Sequence, residues 1–189
     1  MKALVFAGSV RQGSIHRRLA RAVAEQLERR GVEVTLADLR DYPMPLYDGD
    51  LETSEGLPPA AREFRKLLAE HDLLVIASPE YNGSFPALLK NVIDWTSRPA
   101  SPGERSTALY RGKSAALLAG SPGPGGGRRG LRHLRELLEM IGVTIVAEPV
   151  TVGGASDAFD EEGRLARPDA VTSIERLADQ ITESATATA

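Results

Sequence analysis

The sequence contains no cysteine, which excludes disulfide bridges, thiolate nucleophiles, cysteine-ligated zinc and iron–sulfur clusters. Its purely apolar runs are only a few residues long, far below the ~20 residues that a membrane-spanning helix needs. The formal net charge of −3 lacks the basic excess that is typical of nucleic-acid binders. These absences predict a protein with neither a nucleic-acid nor a membrane partner.

What is present is an ordinary globular composition, with 42% hydrophobic and 26% charged residues among 189. This length predicts a single domain, which we place at residues 1–183, followed by a frayed tail at residues 184–189 that has nothing to bury. Met1 and Lys2 lead directly into an apolar run with no basic region or cleavage site. We therefore expect no signal peptide and a cytoplasmic location.

Short apolar segments alternate with longer amphipathic ones along the whole chain. Strands are predicted at residues 2–7, 32–36, 73–77, 114–119 and 143–147, and helices at residues 15–30, 58–71, 86–95, 128–141 and 168–182. Nearly continuous apolar strands are typical of a parallel sheet that is covered on both faces. Five such units predict an α/β fold with an open, doubly wound, five-stranded parallel sheet, because an eight-unit barrel needs roughly 250 residues.

The loop after the first strand, residues 8–14, has the composition of a phosphate-binding loop. It runs into a helix N-terminus, where unpaired N–H groups favour anions, and Ser9, Arg11 and Ser14 can add hydrogen bonds and charge. Ser14 stands where a P-loop has its lysine, so a monophosphate fits better than a nucleoside triphosphate. The alternative is that Ser14 merely caps the helix and Arg11 is solvated.

The loops after the third and fourth strands should lie at the same edge of the sheet. In residues 78–84, main-chain groups and the ring of Tyr81 can face a planar ligand. The alternative is a simple turn before a helix that Ser84 caps, with Pro86 inside its first turn. Residues 120–130 are glycine-rich, which predicts a flexible wall with Ser121 as its best-placed hydrogen-bonding side chain.

Together these loops resemble the NADPH-dependent FMN reductase family, which is flavodoxin-like and includes quinone, azo-dye and chromate reductases. The family pattern Gly-Ser-x-Arg-x-x-Ser is present at residues 8–14, and Ser-Pro-Gly at residues 121–123, with the later arginine at Arg129. The signature Pro-Glu-Tyr-Asn-x-Ser-x-Pro-x-x-Leu-Lys-Asn-x-Ile-Asp-Trp is complete at residues 79–95. The resemblance covers residues 1 to about 152, and its long central signature makes it specific.

The resemblance implies a site that binds FMN. The residues it assigns to cofactor binding are Ser9, Arg11, Ser14, Ile15 and His16 around the phosphate, and Pro79, Glu80, Tyr81, Asn82, Ser121 and Gly123 around the isoalloxazine. His16 stands where many relatives have asparagine. Its imidazole can donate to the phosphate, with added charge if cationic, or can face solvent at the start of the helix.

The resemblance further implies an enzyme that passes hydride from NADPH, or NADH, through FMN to a small-molecule acceptor by a ping-pong mechanism. The acceptor would be a quinone, a free flavin, an azo compound or a metal oxyanion. No side chain is required as acid or base, and the three histidines lack metal-ligand spacing. The arginines at 128, 129, 132 and 135 either favour the extra phosphate of NADPH or form a solvated helix face.

Family members form homodimers or homotetramers, which places a subunit contact at residues 91–98 and 99–111. Three alternatives remain open at this point. They are a flavodoxin-type electron carrier, a reductase component that supplies reduced flavin to a monooxygenase, and a module that binds another monophosphate.

Overall fold

A computed structural model describes residues 1–187 of the chain. Its strands are β1 (Lys2–Ala7), β2 (Glu33–Ala37), β3 (Leu73–Ala77), β4 (Ser114–Gly120), β5 (Thr144–Ile145) and β6 (Val150–Val152). Its helices are α1 (Ile15–Arg29), α2 (Gly49–Glu55), α3 (Pro59–Glu70), α4 (Ala87–Thr96), α5 (Arg128–Met140) and α6 (Pro168–Ala187). The five predicted helices are all present, and their ends differ from the predicted ends by at most five residues.

The strands form one parallel sheet in the order β2-β1-β3-β4-β5. This is the flavodoxin-like order, in which the winding reverses between β1 and β3. β3 pairs with β1 on one side and with β4 on the other, over five residue pairs each. The predicted doubly wound sheet is confirmed, and the ends of β1, β3 and β4 lie side by side.

Two apolar layers cover the two faces of the sheet, as the period-two alternation of a buried strand requires. In β1, Ala3 and Val5 pack in the layer that contains α1 and α6, whereas Leu4 and Phe6 pack in the layer that contains α3, α4 and α5. All four side chains are 3% exposed or less. The nearly unbroken apolar sequence of the strand therefore follows from burial on both faces.

The predicted fifth strand is divided in the structure. β5 pairs with the start of β4 at Ser114 and Ala115, and β6 pairs with its end from Leu118 to Gly120. Pro149 lies between the two segments and has no N–H to donate to the sheet, which accounts for the break. Neither β6 nor α2 is among the elements predicted from the sequence.

The C-terminal helix continues past the predicted domain end at residue 183. α6 runs to Ala187, so part of the predicted tail is helical, and residues 188 and 189 lie outside the described residues. No helix within residues 1–187 is long and apolar enough to span a bilayer.

Candidate active site

The three loops that follow β1, β3 and β4 meet at one edge of the sheet. Two hydrogen bonds connect residues that lie at the end of, or after, different strands. The Gly120 N–H, at the end of β4, donates to His16 Nε2 over 3.3 Å. The Gly130 N–H, in the first turn of α5, donates to Glu80 Oε2 over 2.9 Å. The predicted convergence of the loops is therefore present in the structure.

The first loop presents an anion-binding end of α1. Ser14 is the N-cap of α1, and its Oγ accepts the Arg17 N–H over 3.4 Å. Ser9 Oγ accepts the Arg11 N–H over 3.4 Å, and both serines are buried. The Arg11 side chain is exposed and has no partner within residues 1–187. Capping by Ser14 is real, but it leaves the other N–H groups of the first turn and the Arg11 guanidinium available to a ligand.

Ile15 and His16 point into the protein behind this loop. A Cβ at Gly120 would stand 2.9 Å from Ile15 Cγ2, so only glycine lets β4 end against α1. His16 is 7% exposed, and burial lowers its pKa to about 4. The expectation that His16 faces solvent is therefore wrong, and so is the expectation that its ring is cationic at neutral pH. Since Nε2 accepts from Gly120, the ring proton is on Nδ1.

The second loop folds into a tight hairpin that exposes Tyr81. The Tyr81 N–H donates to the Ser84 carbonyl over 2.8 Å, and the Ser84 N–H returns a bond of 3.1 Å. Between them, Asn82 and Gly83 have φ angles of 51° and 80°, the left-handed pair that an Asn-Gly turn favours. Tyr81 is 56% exposed. Its ring is thus available for stacking.

The alternative in which Ser84 caps the following helix is wrong. Pro86 occupies the N-cap position of α4, and Ser84 is used in the hairpin instead. Pro79, the first residue of the signature, is buried, and its carbonyl accepts the Ser78 hydroxyl over 3.1 Å.

The carboxylate of Glu80 belongs to the scaffold of the site. Its bond to Gly130 satisfies one of the unpaired N–H groups at the start of α5. A Cβ at Gly130 would stand 3.2 Å from both the Glu80 Cβ and the Ser84 carbonyl oxygen. The second loop and α5 are therefore packed so closely that a Cβ at residue 130 would force a neighbour to shift by a few tenths of an ångström, which sequence reasoning missed. The available signal for this close packing was Gly130, the last residue of Gly-Gly-Gly-Arg-Arg-Gly at residues 125–130.

The third loop is anchored, in contrast to the flexible wall that its glycines predict. The Ser121 N–H donates to the Val152 carbonyl over 3.0 Å, and Ser121 Oγ donates to the Gly123 carbonyl over 2.9 Å. Gly126 and Gly127 are buried, with φ angles of 60° and 88°. The missed strand β6 is thus what holds this wall of the site in place.

An open cavity of about 650 Å³ lies between the second and third loops. It is lined by Glu80, Ser121, Pro124, Gly125, Gly127, Arg128 and Arg129. This volume is within the ~300–1,000 Å³ of small-molecule sites. The side chains of Arg128 and Arg129 are exposed and have no partner within the described chain, so the cavity favours an anionic ligand. His, Asp and Glu side chains of residues 1–187 form no cluster that could hold a metal ion.

A model of the family described as NADPH-dependent FMN reductase matches residues 1–157. The chain belongs to this family. It is 39% identical over 166 residues to an NAD(P)H-dependent FMN reductase of Pseudomonas aeruginosa, covering 87% of this chain and 84% of the relative. It is 35% identical over 170 residues to an NAD(P)H:quinone oxidoreductase of Solanum tuberosum, covering 87% of this chain and 82% of the relative.

The fold is shared with solved flavoenzymes. The NAD(P)H:(acceptor) oxidoreductase FerB of Paracoccus denitrificans superposes with a TM-score of 0.77 at 24% identity, covering 97% of this chain and 98% of FerB. The residues of the site fit the family cofactor. A helix N-terminus with an unpaired arginine suits a single phosphate, and an exposed aromatic ring beside an open cavity suits a planar ring system.

Proposed function

We propose that this chain is an FMN-dependent oxidoreductase that takes hydride from NADPH or NADH and passes it to a small-molecule acceptor. The carrying observation is the convergence of a phosphate-type loop, an exposed Tyr81 and an arginine-lined cavity at one edge of the sheet. Family membership and the names of the relatives, among them FMN and quinone reductases, support it.

In this proposal the first loop holds the FMN phosphate. Arg11 supplies charge, Ser9 and Ser14 supply hydroxyl groups, and α1 supplies main-chain N–H groups. Pro79 to Asn82 line one side of the isoalloxazine, and Ser121 and Gly123 line the other. FMN, when bound, supplies the chemistry of accepting and giving up hydride. The protein binds and orients, and no side chain is assigned as acid or base.

The nicotinamide donor and the acceptor use the same open cavity in turn, which predicts ping-pong kinetics. Arg128 and Arg129 are the groups in that cavity that suit the phosphates of the donor. The acceptor is a quinone, a free flavin, an azo compound or a metal oxyanion. The proposal includes a cytoplasmic location, where NAD(P)H is available.

The test is the visible spectrum of the protein loaded with FMN, recorded anaerobically before and after NADPH is added. We expect flavin absorption that NADPH bleaches and that a quinone restores. A flavin spectrum that NADPH leaves unchanged would replace the reductase with an electron carrier. Failure of the protein to bind FMN would overturn both and leave a site for another monophosphate. A strong preference for free flavin as acceptor would indicate a reductase component for a monooxygenase.

Arg11→Gln should weaken FMN binding at least about 10-fold, because a charge-assisted hydrogen bond to phosphate contributes roughly 1.5–3 kcal/mol. The measurement is quenching of flavin fluorescence as FMN-free protein is titrated. Riboflavin, which lacks the phosphate, should bind the variant and the wild type equally. Arg29→Gln, at the far end of α1, is the matched control and should leave FMN binding unchanged. Equal loss of FMN and riboflavin would show that Arg11 does not hold the phosphate.

We also propose a homodimer or homotetramer. Within residues 91–98, Asn91 and Trp95 are buried in their own chain, where their side chains donate to the Pro45 carbonyl over 2.8 Å each. The Asn91 side-chain oxygen Oδ1 accepts the Tyr47 N–H over 2.8 Å. These bonds fix residues 45 and 47 of a surface loop, in which Leu46 between them is 78% exposed. We therefore extend the proposed contact from residues 91–111 to this loop.

Leu46→Asp should raise the dissociation constant of the oligomer at least about 10-fold, because association would bury an unpaired charge. Light scattering coupled to size-exclusion chromatography measures the mass. Met140→Asp, an equally exposed apolar side chain on α5, is the control and should keep the wild-type mass. A monomeric wild type would overturn the proposal of an oligomer.

A further inference from the structure

A second concave surface lies on the other side of the phosphate loop, between α1 and the end of β2. We call it the arginine groove and define it by Gly13, Arg17, Arg18, Arg21, Leu36 and Asp38. Its volume is about 240 Å³. It contains no residue of the second or third loop, and Ser14 is the one residue of its lining that the proposed function uses.

The groove has more positive charge than its own carboxylate neutralises. Arg17 Nη2 pairs with Asp38 Oδ2 at 2.6 Å, and Asp38 also accepts bonds from Arg40. These contacts lower the pKa of Asp38, and the hydrogen bond from the Arg40 side chain is the main cause. The carboxylate of Asp38 is therefore ionised and already paired with arginines. Arg21 is exposed and has no partner within residues 1–187. One guanidinium is thus left over for an anion.

Arg18 has one donor, Nε, that forms no hydrogen bond within residues 1–187. Its Nη2 donates to the Gly13 carbonyl over 3.2 Å, and its guanidinium lies 4.5 Å from the centroid of the Phe159 ring. Its Nε is buried and has no hydrogen-bond partner within the described chain. A buried donor without a partner costs free energy, so the hydrogen bonding of Arg18 beside the groove is incomplete.

The remaining lining is apolar and suits a flat ring. Leu36, on the edge strand β2, is 48% exposed, and Ala20 and Ala37 line the groove beside it. The volume is below the ~300–1,000 Å³ of complete small-molecule sites, so the groove suits a fragment of a larger ligand. A flat apolar surface next to guanidinium groups favours an aromatic base that carries a phosphate.

The position of the groove identifies which larger ligand supplies this fragment. Gly13 and Ser14 line both the groove and the phosphate loop, so the two sites are continuous. We propose that the arginine groove binds an adenosine that carries a phosphate. Its source is either the AMP half of FAD, joined to the flavin phosphate, or the 2′-phosphoadenosine end of NADP(H). The inference rests on the proposed function, which places a flavin phosphate at residues 8–14 and makes NADP(H) a hydride donor.

Two titrations distinguish the sources. In the first, FMN-free protein is titrated with FAD and with FMN by calorimetry. In the second, FMN-loaded protein is titrated with 2′,5′-ADP. FAD binding tighter than FMN supports the AMP half as the occupant, and 2′,5′-ADP binding to the FMN-loaded protein supports the NADP(H) end.

Arg21→Gln should weaken whichever ligand binds about 10-fold while it leaves FMN affinity unchanged, because Arg21 lies in the groove and outside the residues proposed for FMN. Leu36→Asp should have the same effect by placing a carboxylate under the base. Arg29→Gln, on the same helix and outside the groove, should change none of these affinities.

The inference is overturned if 2′,5′-ADP does not bind and FAD binds no tighter than FMN, or if Arg21→Gln and Leu36→Asp leave every affinity unchanged. Failure of FMN itself to bind would instead refute the proposed function. In that case the titration of 2′,5′-ADP against the unloaded protein still decides whether the groove is a site.

Discussion

Gly127→Ala should destabilise the protein by about 2–4 kcal/mol, which for a domain of this size lowers the midpoint of thermal unfolding by about 5–15 °C. Gly127 is the N-cap of α5 and has a φ angle of 88°, a conformation that costs any other residue roughly 1–2 kcal/mol. An alanine Cβ would also stand 2.8 Å from the Cβ of Ala119 in β4. One of the two must move, and both belong to elements that carry the site.

Gly125→Ala is the matched control, because the same atom added two residues earlier meets nothing within 4 Å and has no positive φ angle to oppose it. It should leave the unfolding midpoint unchanged. Calorimetry of the FMN-free proteins makes the comparison without any effect of cofactor binding. Equal midpoints for the two variants would mean that the third loop is as adaptable as its glycine content predicts.

Acidification from about pH 6.5 to pH 4 should remove about 3 kcal/mol of stability through His16 alone. Burial lowers the pKa of His16 from 6.5 to about 4, so the folded protein keeps the ring neutral while the unfolded chain takes up a proton. The unfolded state therefore binds more protons between these two values, and stability falls as the pH falls. Each pKa unit corresponds to about 1.4 kcal/mol, and the loss stops growing below about pH 4.

His16→Gln isolates this contribution, because the variant keeps an oxygen that can accept the Gly120 N–H and has no titrating group. The measurement is the free energy of unfolding in urea at several pH values. The pKa values of Asp38 and Glu104 are also lowered, by bonds from Arg40 and from the Ala100 N–H respectively, so both proteins lose stability in acid. The difference in the pH dependence of unfolding free energy between the wild type and His16→Gln should equal the contribution of His16. His133→Gln retains His16 and should behave as the wild type, whereas equal slopes for His16→Gln and wild type would refute the assignment.

The layered fold could be predicted because it depends on short-range pattern. Most of the five predicted strands are nearly continuous apolar runs, and each amphipathic helix between them has a face that can cover the sheet. The strand β6 could not be predicted, because its three residues gain their partners only from the end of β4. Helix α2 was missed because none of its residues is buried, so it has no apolar face to detect.

The candidate site divides in the same way. The serines and arginine of residues 8–14 and the Asn-Gly turn at residue 82 are local signals, since a helix N-terminus and a left-handed turn select their residue types directly. No local signal in the sequence indicates which groups Glu80 and His16 bond to. Their partners, Gly130 and Gly120, are 50 and 104 residues away along the chain.

The sequence by itself determined the parallel sheet, the three loops at its edge and the residue types that suit a flavin phosphate. These depend on side-chain periodicity and on turn chemistry, which neighbouring residues specify. Only the tertiary structure decided that His16 turns inward and stays neutral, that Glu80 joins α5 to the second loop, and that β6 anchors the glycine-rich loop. It also placed three arginines of α1 beside the end of β2. Burial and long-range hydrogen bonding set these features, and neither exists until the chain has folded.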